Sequence, residues 1–184
     1  MKLSKRQSLQ LAAVALLALC WPLARSNAGP QGIDAAAHAS LERFFYEVPQ
    51  ARELANRAAG VLVFPAVVKA GFGFGGEYGE GALFIRGRTA GHYNDVSGSF
   101  GFQLGAQARS VVIMFMTADA LDRFYHRDGW KVGVDGSVTV IAVGAGGAID
   151  SNSIRSPVVG FIFDQKGLMY NLTLEGSKIS RIYR

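Results

Sequence analysis

The chain has one cysteine, three histidines and five prolines among 184 residues, and only 18% of its residues are charged. A single thiol closes no intramolecular disulfide. The histidines, at positions 38, 92 and 126, fall at no metal-ligand spacing. Stability must come from packing and backbone pairing, and neither a metal nor another cofactor is expected. Residues 11–24 form an apolar run of 14 residues, short of the roughly 20 a membrane-crossing helix needs. A Gly-x-Ser-x-Gly nucleophile elbow in strand–turn–helix context is missing too, which argues against a serine hydrolase.

The surplus of positive charge lies mostly at the N-terminus. Lys2, Lys5 and Arg6 precede the apolar run, and Ser26-Asn27-Ala28 follow it, the pattern of a secretory signal peptide over residues 1–28. The alternative is lipoprotein processing at Cys20, where bulky Leu19 and Trp21 fit poorly. Losing residues 1–28 removes four of the 19 basic residues and no acidic one. The remaining 15 face 14 acidic residues, a net of +1. The basic pI therefore gives no support to nucleic-acid binding, and residues 29–184 suit one domain with a single core.

That domain opens helically. Asp34 is a plausible cap, and Ala37, Leu41, Phe44 and Val48 recur at helical spacing with Phe45 beside them, up to Pro49. Residues 51–59 resume the pattern, and Gly60 suits the exit. Short apolar strands then alternate with glycine. Residues 61–64 read as a strand ending at Pro65, and residues 71–81 hold six glycines in 11 positions. Bare backbone on one strand face permits close approach and strong coiling. Further strands are expected at 82–85, 97–104, 111–116, 138–143, 158–163 and 168–174. Turns are expected at 86–91 and 164–167, and a short helix over 118–127 is capped by Thr117, with Leu121, Phe124 and Tyr125 inward. The fold class is α+β: a curved, mainly antiparallel sheet or partial barrel with N-terminal helices and one short internal helix.

Gly71-Phe72-Gly73-Phe74-Gly75-Gly76 has the letters of a dinucleotide fingerprint, but strand or turn follows it instead of a helix. Glu77 and Glu80 also stand where phosphate would sit, so nucleotide binding is rejected. His92, Asp95 and Ser97 read as polar residues of a loop, and Asn171-Leu172-Thr173 as a chance glycosylation match. What remains is a surface. Arg43, Arg52 and Arg57 sit on the N-terminal helices near Phe44 and Phe45, and Lys69 stands before the glycine–aromatic stretch. A helix with aromatics on one face and arginines at its margin can lie in a bilayer interface.

Residues 58–65, 69–79, 101–105, 161–164 and 166–177, taken together and in order, resemble the SYLF domain family from about Leu54 to Ile182. That resemblance implies a non-enzymatic domain that binds phospholipid, and in exported bacterial relatives an envelope protein or lipoprotein. Actin, a partner of some eukaryotic relatives, is not expected outside an inner membrane. The family's lysine before the glycine–aromatic stretch is Lys69, and Asn171 replaces a common glycine. The expected reading is an anionic-lipid binder of the periplasm, attached through Lys69, Arg52, Arg57, Arg43, Phe44 and Phe45. The alternative is an envelope module that binds another protein or itself, held at the outer membrane if Cys20 is acylated.

Overall fold

The computed structural model describes residues 29–144, 155–167, 174 and 176–183, with backbone alone at 72–74 and 99–104. The expected leader, Cys20 and the expected strand 168–174 with Asn171 lie outside the described residues, Leu174 excepted. Helix α1 (Pro30–Glu47) starts one residue after Gly29, with proline in its first turn, where a missing N–H costs no hydrogen bond. Asp34 is therefore an interior residue of α1, not its cap. Pro49 separates α1 from α2 (Gln50–Arg57).

Two very long strands follow, β1 (Gly60–Ile85) and β2 (Arg88–Phe115), paired antiparallel along their whole length. Only Arg86 and Gly87 turn the chain between them, both with positive φ (52° and 74°), the geometry of a tight two-residue hairpin loop. Two sequence expectations change here. His92, Asp95 and Ser97 belong to β2, not to a loop. Pro65 does not end a strand: a register shift between Phe64 and Val67 absorbs the residue that cannot donate, and β1 continues. The Ser110 hydroxyl donates to the Pro65 carbonyl at 2.8 Å.

Beyond β2 come α3 (Ala118–Tyr125), β3 (Trp130–Lys131), β4 (Thr139–Ala142), β5 (Val158–Gly167) and β6 (Lys178–Ile182). Thr117 caps α3 by accepting from the Ala120 N–H at 3.1 Å. Among the described residues the sheet has six strands. β2 is central, with β1 along one edge and both β5 and β6 along the other. β3 extends β6, and β4 joins β5 as the one parallel pair. The expected turn at 164–167 is instead strand. Lys166 and Gly167 pair with Ala108 and Gln107, and a bulge at Asp164 (φ 49°) takes up the extra residue.

The sheet is buried on both faces because its strands alternate between two cores. Val61, Val63, Val112, Met114, Phe161 and Phe163 meet α1 and α2, while Leu62, Phe64, Val111, Ile113 and Ile162 meet Phe124 of α3. The sheet curls into a half-barrel. β1 folds back far enough that a Cβ on Gly81 would stand 2.3 Å from the Val63 carbonyl oxygen. On Gly79 it would stand 2.9 Å from that of Ala66. Only glycine admits that approach. The fold is α+β, as the strand and helix patterns imply.

Candidate functional site

A groove of about 500 Å³ opens between the first turns of α1 and the curl of β1. Its walls are mostly small or apolar, including Ile33, Ala36, Pro65, Ala66, Val68 and Val96, with Glu77 and Glu80 also on the lining and no basic side chain among the described residues. Tyr78 and Val96 are among the few large apolar residues left exposed, and the Tyr78 hydroxyl donates to Glu80 at 2.7 Å. Volume and lining fall within the range of small-molecule pockets. This groove is the consequence of the glycine-rich stretch: residues without bulk let the strand bend, and the bend leaves a trough beside α1.

The residues singled out from sequence do not converge on one surface. Phe44 is fully enclosed, with ring centroids 4.9 Å and 5.1 Å from Phe161 and Phe163, and Phe45 packs beside it. The apolar side of α1 is spent on the sheet, so these rings are core, not an insertion face. Lys69 is only 6% exposed and lies opposite Gln107. It shares the strand face of Val67, which packs in the α3-side core, so the sheet separates it from the helical arginines. Arg43, Arg52 and Arg57 are exposed and each has an acidic neighbour: Asp164 at 3.6 Å, Glu42 at 2.9 Å, and Glu53. The Arg52 guanidinium also lies 4.5 Å above the Phe45 ring.

A second group of polar side chains was missed by the sequence reading. On the strand face of Lys69, Arg109 and Glu77 form an ion pair at 2.5 Å, both nearly sealed from solvent. Asp95, 1% exposed, lies in the same interior, and the Ser177 hydroxyl donates to it. Burial, reinforced by the nearby Glu77 carboxylate, pushes the Asp95 carboxyl up to about 7. Its Oδ1, and both amide atoms of Gln107, have no hydrogen-bond partner among the described residues. Alternation along β1 and β2 hinted at which charged residues face inward. Their meeting depends on the curl.

His92 pairs with Asp34 of α1 at 2.9 Å, and His38 stacks on Phe84 with centroids 4.4 Å apart. Among the described residues no group of three or more histidine, cysteine, aspartate or glutamate side chains is placed to hold a metal. No helix among them is long and apolar enough to cross a membrane.

Tyr125 is not inward as its helical position suggested but stands at the rim of α3. Arg181 of β6 lies over its ring at 5.0 Å, and Tyr183 flanks the same guanidinium at 5.8 Å. The only advance signal was Arg181 and Tyr183 sharing one face of a terminal strand.

Residues 96–182, from the middle of β2 to the end of β6, match the family model Ysc84, described as Las17-binding protein actin regulator. No curated protein matches the chain. The match includes the stretches at 101–105, 161–164 and 166–177 that carry the family resemblance in sequence, and it ends with the last strand of the curled sheet. The match spans just under half of the chain and is consistent with the SYLF resemblance.

Proposed function

We propose that the chain is a non-enzymatic phospholipid-binding protein of the bacterial cell envelope, and that the groove beside α1 takes up an acyl chain. The groove itself carries the reading: about 500 Å³ of almost wholly apolar wall, open to solvent and flanked by exposed Tyr78 and Val96. Burying a hydrocarbon chain there gains about 25 cal/mol per Å² of apolar surface removed from water. With Glu77 and Glu80 on the lining and no cation there among the described residues, a phosphate headgroup stays outside the groove. The signal-peptide pattern of residues 1–28 supports a position beside the envelope membranes, free or tethered through Cys20. Las17 and actin, named in the family description, are not ligands available there. The interior Glu77–Arg109 pair and the His92–Asp34 pair are spent on structure, which favours binding over catalysis.

Lipid extraction and mass spectrometry of the purified native protein, with vesicle co-sedimentation, test the proposal. Co-purifying phospholipid, lost in Ala36→Trp while the melting temperature is kept, is the expected result. Absence of bound lipid together with equal indifference to all vesicles, or a stable self-associated state without lipid, would refute it.

A further inference from the structure

Across the sheet from the helical arginines, a group of described arginines has no acidic partner. The Arg181 guanidinium lies 5.0 Å from the ring centroid of Tyr125 and 5.8 Å from that of Tyr183, and its Nη2 donates to the Ala90 carbonyl at 3.3 Å. The hydrogen bond with Tyr125 helps hold the guanidinium charged. Tyr183 is 77% exposed. Two residues from Ala90 along β2 stands Arg88, and Arg86 forms the adjoining turn. Both are exposed. Among the described residues no carboxylate pairs with Arg181, Arg88 or Arg86. The neighbouring charges of α3 close among themselves, Arg123 with Asp119 and His126 with Asp122.

We infer that the Tyr125–Arg181–Tyr183 stack, with Arg86 and Arg88, is a docking surface for an anionic phospholipid membrane, separate from the acyl-chain groove. Three features point to a membrane. Tyrosine rings with a polar tip are suited to the headgroup layer. A guanidinium within cation–π reach of two rings is a fork of donors suited to bidentate contact with phosphate. The arginines at this rim have no carboxylate paired with them among the described residues, whereas each helical arginine has its own. Here the excess positive charge of an almost neutral domain becomes local, as attraction to an anionic surface requires.

This inference rests on the lipid-binding reading but can fail separately from it. The test is co-sedimentation of purified native protein with phosphatidylcholine vesicles, with and without phosphatidylglycerol. Each cation near an anionic surface contributes about 1 kcal/mol. Arg181→Gln should therefore weaken anionic-vesicle binding about fivefold and Arg181→Glu about thirtyfold, while lipid co-purifying in the groove is unchanged. Tyr183→Ser should weaken binding to both vesicle types. If Arg181→Glu melts early, an Arg86→Glu, Arg88→Glu double variant gives the same reading from exposed residues. Wild-type affinity in all these variants, with loss in Arg52→Glu and Arg57→Glu, would move docking to the helices and overturn the inference while leaving lipid binding intact. No binding of native protein to anionic vesicles would overturn the docking surface outright, and retained groove lipid would then show that the broader reading survives.

Discussion

Arg109 and Glu77, 32 residues apart in sequence, join the two halves of the curled β1–β2 hairpin through a 2.5 Å ion pair buried in the interior. Removing one partner from such a pair leaves a charge without its counter-ion in a low-dielectric site, at a cost of about 3–5 kcal/mol. Glu77→Gln is expected to lower the urea midpoint accordingly. Glu77→Leu combined with Arg109→Met should recover much of the loss. If Glu77→Gln is as stable as the native protein, the pair does not hold the curl.

Asp95 sets a pH dependence of definite sign. Its carboxyl titrates near 7 in the folded chain and near 3.8 when free, so the folded state retains a proton that the unfolded state has released across that window. Stability should therefore fall as pH rises from about 4 to about 7 and change little above. Asp95→Asn, neutral throughout, is expected to flatten this dependence and to be the more stable protein at pH 8. Denaturant melts at pH 5 and pH 8 decide the point, and an equal slope in both proteins would count against the buried carboxyl.

The closest approach in the curl predicts an overpacking defect. Gly81→Ala puts a methyl group into the Val63 carbonyl, and forced insertions of this kind cost about 1–3 kcal/mol. Gly98→Ala, at a glycine whose added Cβ would meet nothing within 4 Å, is the control and should be near neutral. Thermal melts of the two variants side by side check the contrast.

Phe44→Ala distinguishes a core ring from an inserting one. Enclosed against Phe161 and Phe163, it should cost about 3–5 kcal/mol of stability. An inserting ring would instead lose vesicle affinity with the melt unchanged.

Much of the fold was legible in the chain. The helical spacing of Ala37 and Phe44, the threonine cap of α3 and the unbroken apolar run at residues 111–116 all mark elements that formed where local pattern and tertiary packing agree. The failures came where a long-range fact overrides a local one. Pro65 signals a strand end, yet pairing with β2 on both sides of it carries the strand past through a bulge. Residues 164–167 have turn chemistry, yet the edge of β2 recruits Lys166 and Gly167 into pairing. Lys69, a cation beside a glycine-rich stretch, suggests a surface, and only the curl decides that this strand face is interior. Arg181 and Tyr125 belong to elements that meet through sheet order, which spacing along the chain does not encode.

The outer edge of β1 has no strand partner among the described residues; the bend at its glycines turns that edge sharply as one face of the strand closes on itself at Gly79 and Gly81. A 26-residue strand with an open margin would otherwise invite a second chain to add to it. Curvature here does the work usually left to lysines or a covering helix. Solubility and shape are thereby tied together, so any substitution that straightens the hairpin should show itself as aggregation before it shows itself as lost secondary structure.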